Sequence, residues 1–229
     1  MNKLLFKLAA FGACIALVSC SGDDGDDFDN NILASGDFRD SMDFFLTSVG
    51  PGDGGNLGGL AGADAHCTIL AESAGSFDRE WRAYLSTTGV NGENAIERIG
   101  EGPWTNANGI VVATSPENLL DADNNNLNRE TALSEIGIAI NGVGDSPNRH
   151  DILTGTELNG MASSSATPDT TCGNWSSNDE GSALVGHHDR MGGGSDPTSW
   201  STAHGTIGCS QADLQATAGD GLFYCFAIN

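Results

Sequence analysis

The sequence predicts an α+β domain over residues 41–229, on three observations. Gly58 to Gly75, GGLAGADAHCTILAESAG, repeats its apolar residues at helical spacing. Several short runs alternate apolar with polar residues, or are rich in aromatic and β-branched side chains, as strands are. Between them, mostly in the second half, lie long Gly, Ser, Asn and Asp segments with no helical period, punctuated by cysteines. Few helices, short strands and long loops fit an α+β fold rather than a bundle or an alternating βαβ chain.

In chain order the first element is an address. Residues 1–20 set Lys3 and Lys7 ahead of an apolar run from Leu8 to Val18, too short to span a membrane and laid out as a secretory signal. Leu17-Val18-Ser19-Cys20 resembles the cleavage box of bacterial lipoproteins, which implies a signal peptide over 1–19 and a lipid anchor on Cys20. Ser21 after it implies sorting to the outer membrane. Residues 20–40 hold five aspartates before Asn30 and little to bury, which predicts a flexible, self-repelling tether. Acidic tracts at this place also resemble surface-export signals, so cell-surface exposure and a plain spacer both stay open.

Of the nine basic residues, the two lysines leave with the signal, and seven arginines remain against 31 acidic residues. Without lysine there is no Walker loop and no Schiff base. The acidic excess disfavours nucleic acid and heparin-like polymers as partners. Cys14 is discarded with the signal, leaving Cys67, Cys172, Cys209 and Cys225. An even number in an exported chain implies two disulfides, with three pairings open, and no CxxC suggests zinc or redox chemistry.

Met42–Val49, MDFFLTSV, is the first predicted strand. The glycine-dense loop after it spells GxGxxG at Gly50, Gly52 and Gly55, but the motif does not open a helix, and Asp53 stands where a pyrophosphate would sit, so it reads as a connecting loop. In the helix that follows, Ala63, Cys67, Leu70, Ala71 and Ala74 share one face, Asp64 is placed in the first turn, and Gly75 ends it. Trp81–Thr87 and Asn108–Thr114 are further strands. Ser115-Pro116-Glu117 supplies a cap, a proline at the first helical position and an acid in the first turn of a second short helix through Leu120. Strands are also expected at Ile136–Ile140, Ile152–Thr156, Cys172–Ser176, Ala183–Gly186 and Gly221–Ile228.

GGLAGADAHC with its following AxxAG, WRAYLST, NGIVVA, the LTGT of Leu153–Thr156, CGNW and the closing YCFA together resemble, in that order, the endostatin-like domains and a family of bacterial lipoproteins similar to them. The resemblance covers about Phe44 to Phe226. It implies a C-type-lectin-like fold: an antiparallel sheet packed by two short helices, with long loops and nested disulfides, Cys67 to Cys225 and Cys172 to Cys209. It does not carry over the relatives' N-terminal zinc histidines or basic heparin face, since no histidine precedes His66. Lectin-type calcium signatures are incomplete as well: Ser146-Pro147-Asn148 lacks the carboxylate, and two serines separate Trp175 from Asn178-Asp179.

The remaining chemistry is sparse. Asp121, Asp123 and Asn125 alternate oxygens as a calcium loop does, but Asn126 and Ala132 occupy the places where glycine and glutamate belong, so no cofactor is expected and calcium is the one candidate. His187, His188 and Asp189 with His204 form a histidine cluster, in which adjacent strand positions face opposite ways, so only one of the pair, represented by His188, can share a metal with His204. Solvated loop histidines are the plainer expectation. No GxSxG, HExxH or free cysteine points to catalysis. Trp81 and Trp175 are expected in the core, whereas Trp104 and Trp200, in turn-rich stretches, form with Asn178 and Asp179 the expected recognition surface. These features predict a non-enzymatic, lipid-anchored binding or adhesion module for an unknown extracellular protein or glycan. A hydrolase of envelope polymers and a passive envelope component are the alternatives.

Overall fold

The computed structural model describes residues 41–164 and 168–228; the signal peptide, Cys20 and the tether lie outside the described residues. The periodic stretch folds as α1 (Gly59–Ser73), with Ala63, Cys67 and Ala71 buried, and the chain turns away through Gly75 at φ 94°. Asp64 is not in the first turn as expected. It lies a turn further in, on the buried side, where a carboxylate needs partners. It accepts from the backbone N–H of Ala83 at 2.9 Å, from Arg98 Nη2 at 2.7 Å and from Arg82 Nη1 at 2.8 Å. One acid thus fastens the helix to β2 (Trp81–Ala83) and to α2 (Ala95–Arg98).

The sheet is built on β8 (Gly219–Ala227). The second half of this strand pairs antiparallel with β1 (Phe44–Leu46) on one edge, Phe45 opposite Cys225, and with β2 on the other, Ala83 opposite Cys225. Its first half pairs with β5 (Asp151–Leu153), followed outward by β6 (Leu184–His187) and β7 (His204–Gly205). β5 runs parallel to β8, so the sheet is mixed rather than purely antiparallel. β3 (Trp104–Thr105) and β4 (Val111–Ala113) form a separate ribbon.

Alternation along β8 serves two cores. Phe223, Cys225 and Ala227 face α1 with Phe45, Trp81, Cys67 and Leu85. Leu222, Tyr224 and Phe226 face Phe44, Tyr84, Trp104, Leu119 and Trp200. The second layer is closed by α3 (Pro116–Leu120), whose cap is the expected one: Ser115 Oγ accepts from the Asn118 N–H. A last helix, α4 (Gln211–Ala216), precedes β8. Helices therefore exceed the two expected.

Two further expectations are corrected. Ile136–Ile140 is not a strand: Gly137 at φ 77° turns the chain, Ile136 and Ile138 are exposed, and only an isolated bridge joins Leu133 to Ala139. Cys172–Ser176 is not a strand either. Cys172, Gly173, Asn174 and Trp175 take φ of 47°, 62°, 58° and 64°, one left-handed turn. Such a turn is unfavourable for L-residues. Here Trp175 compensates by burying its ring and donating Nε1–H to the Ser86 carbonyl at 2.8 Å.

The disulfides are Cys67–Cys225 and Cys172–Cys209, each with Cα atoms 5.7 Å apart. The first ties α1 to the sheet; the second ties the left-handed turn to the segment before α4. Gly55 lies against the second, where an added Cβ would meet Cys172 Cβ at 2.6 Å, so this glycine of the GxGxxG run serves close packing. Closing loops of 158 and 37 residues contributes about 5 and 4 kcal/mol as upper estimates of chain entropy. Replacing Cys67 and Cys225 together by alanine is expected to lower unfolding stability by about 2–5 kcal/mol in urea titrations.

Candidate functional site

Asp151 opens β5 directly opposite His187 at the end of β6, and His204 in β7 pairs with Val185, two residues before His187 on the same face. Register thus gathers an acid and two histidines at one end of three adjacent strands. His150 joins them from just outside β5, its ring stacked on His187 at 4.1 Å between centroids and 12° between planes. His204 meets His187 edge-on at 5.1 Å. The Gly192–Gly194 run closes over the rings: a Cβ at Gly192 would lie 2.7 Å from His150 Cε1.

Each ring is oriented from behind through Nδ1. For His150 the partner is Asp189 Oδ1 at 3.2 Å, for His187 the Pro197 carbonyl at 2.8 Å, and for His204 the Gly205 carbonyl at 3.1 Å. All three partners are acceptors, so each Nδ1 carries a hydrogen. The Nε2 atoms then converge on Asp151: His150 at 3.3 Å and His187 at 3.2 Å from Oδ1, His204 at 3.5 Å from Oδ2. Among the described residues neither Asp151 oxygen has a hydrogen-bond partner, nor has His187 Nε2, although both residues are buried.

The electrostatics follow from this enclosure. Burial raises the Asp151 carboxyl, and positive charge at the facing nitrogens of His187 and His204 more than offsets it, leaving it below the ordinary carboxylate range. Asp189 behaves alike: burial is outweighed by His150 and by the backbone N–H groups of Val143 and Met191. His204, on the rim, is raised by its contact with Asp151. His188 is pushed down to about 4, chiefly by burial.

Several expected site residues belong elsewhere. Trp104 and Trp200 are not a recognition surface, being 1 % and 2 % exposed. Trp104 packs edge-on against Phe226 at 5.2 Å; Trp200 sits between Tyr84 and Tyr224 and donates Nε1–H to the Leu119 carbonyl. Their turn-rich stretches fold across the second face of the sheet, so they form core. Asn178 and Asp179 are exposed, Asn178 Nδ2 donating to Asp53 in the glycine-rich loop. In the expected calcium loop, Asp121 accepts from the Asp123 N–H and from Asn124, while Asn125 Oδ1 accepts from the Leu127 N–H and from Arg190. A guanidinium at that oxygen opposes a second cation. His188 is buried and faces the Asn141 carbonyl at 3.3 Å, so the histidine grouped with His204 is His187. The cluster is not solvated, as loop histidines would be. His150 and Asp151 escaped sequence reasoning, although the pair HDIL standing at the head of a strand was the signal available.

A groove of about 300 Å³ runs between Leu120, Ala122, Leu158, Asp196, Thr198 and Ser201, with Trp200 beneath it. Leu158 and Asp196 are exposed along it. Among the described residues no helix is long and apolar enough to cross a membrane, and two disulfides are the mark of an oxidising compartment. The chain matches no protein-family model and no curated protein.

Trp200→Ala is expected to cost about 3–5 kcal/mol of stability in urea unfolding, against the few tenths typical of an exposed side chain. His188 titrates near 4 in the folded state, below its unfolded value near 6.5. Its stabilising effect is therefore complete above about pH 6.5 and is lost as pH falls toward 4, by up to about 3 kcal/mol. His188→Gln should flatten that part of a stability–pH profile.

Proposed function

We propose that this chain is an extracytoplasmic recognition domain of C-type-lectin-like, endostatin-like fold, anchored to the outer membrane through a lipid on Cys20 and carried on the acidic tether at the cell surface. The observation that carries the binding role is the groove over Trp200. Its two leucines offer apolar contact, and the Asp196 carboxylate with the Thr198 and Ser201 hydroxyls offers hydrogen bonds, the mixture that a glycan or a polar peptide segment requires. The indole stiffens the floor instead of stacking on a ligand. The two disulfides and the mixed sheet packed by α1 support the fold assignment, and the run of residues from Lys3 to Cys20 supports the anchor.

Arrays of glycans and matrix proteins probed with the full chain should show binding that both Leu158→Asp and Asp196→Ala reduce at least about tenfold while the thermal midpoint stays unchanged. No binding, or binding indifferent to both substitutions, would rule the groove out.

A further inference from the structure

We propose that His150, Asp151 and His187 bind one divalent transition metal of the zinc type between the ends of β5 and β6, with His204 of β7 at the rim. The first argument is the direction of lone pairs. With Nδ1–H groups engaged by Asp189, the Pro197 carbonyl and the Gly205 carbonyl, neutral rings turn their Nε2 lone pairs toward Asp151. Lone pairs facing an ionised carboxylate repel, and a cation between them turns the repulsion into bonds. Protons answer the problem less well: the parallel His150 and His187 rings, 4.1 Å apart, would both have to become cations.

The second argument is metric. His150, Asp151 and His187 offer donor atoms that all lie within 4.8 Å of one another. The separations of His150 and His187 Nε2 from Asp151 Oδ1, 3.3 and 3.2 Å, are long for charge-assisted hydrogen bonds. They match the edge of a tetrahedron with metal–ligand bonds of about 2.0–2.1 Å, which is about 3.3 Å. The third argument is the supporting shell. A histidine ligand whose other nitrogen donates to a carboxylate or carbonyl is the arrangement that fixes tautomer and ring orientation in metal sites, and here all three rings have it.

The donor set selects the metal class. Two imidazole nitrogens and one carboxylate oxygen suit zinc, and calcium, which prefers six to eight oxygens, is excluded. Three protein ligands leave one position of a tetrahedral ion open. His204, with a quarter of its side chain exposed, marks the rim and the route of entry.

The test is zinc content by elemental analysis of the full chain, loaded with zinc and dialysed, together with cobalt substitution and thermal unfolding with and without EDTA. The expected result is one metal per chain, the strong visible bands of tetrahedral cobalt, and a thermal midpoint that falls when EDTA removes the metal. His150→Gln, altered just outside the strands, should remain folded and bind zinc at least about tenfold more weakly; His187→Gln should bind none; His66→Ala, outside the cluster, should bind as the parent does. A parent chain that retains less than about a tenth of an equivalent and does not respond to EDTA overturns the proposal, as does undiminished binding in His150→Gln.

Discussion

The burial of β8 on both faces and both edges is the constraint from which the rest of the domain follows. A strand so placed must satisfy every backbone group with neighbours, and its alternating side chains must be apolar on both sides. Leu222 through Ala227 meet that demand with aromatic, aliphatic and disulfide-bonded residues. Because β1 and β2 hold its second half, β5 can join only the first half, and does so in parallel with Asp151 beside Gly219. β6 and β7 add outward from β5. The place where the histidines gather is thus set by where the last strand has an edge left to offer.

How much of this was legible in the sequence depends on whether the deciding contacts are local. α1 and α3 are local: apolar spacing gave one, and Ser115-Pro116-Glu117 with its cap gave the other. Asp64 was misplaced because helix-dipole reasoning uses only the nearest turn, whereas its true partners, Arg82 and Arg98, lie 18 and 34 residues away. Trp104 and Trp200 stand in stretches without period, and such stretches read as surface. In a domain whose second core is built largely from loops laid over a sheet, that inference fails. The histidine cluster failed for a related reason. Residues 150, 187 and 204 are brought together by strand register alone, and strand alternation by itself could say that one of His187 and His188 faces His204, but not which.

The charge balance also acquires a structural meaning. Every arginine among the described residues is engaged: Arg79 by Asp43, Arg82 and Arg98 by Asp64, Arg129 by Asp145, Arg149 by Asp220, and Arg190 by the carbonyls of Ala122 and Leu127. These cations serve as ties between elements, so none among the described residues is left to make a basic face. An anionic polymer would meet a surface of surplus carboxylates, and the long-range repulsion expected from composition is reinforced by the local arrangement.

A fold with this much loop needs fixed points, and it has them in three chemically different forms. Cys67–Cys225 holds α1 to the second half of β8. Cys172–Cys209 holds the left-handed turn, which would otherwise be unfavourable, to the approach to α4. Neither reaches the end of the sheet where β5, β6 and β7 meet, and hydrogen bonding there is limited by strands of two to four residues. Apolar packing cannot replace it, since the inward side chains at that end are His150, Asp151, His187 and Asp189. Such a set is costly to bury with its lone pairs unmatched. The same residues that make this corner the weakest part of an apolar core make it, with a cation, the third fixed point.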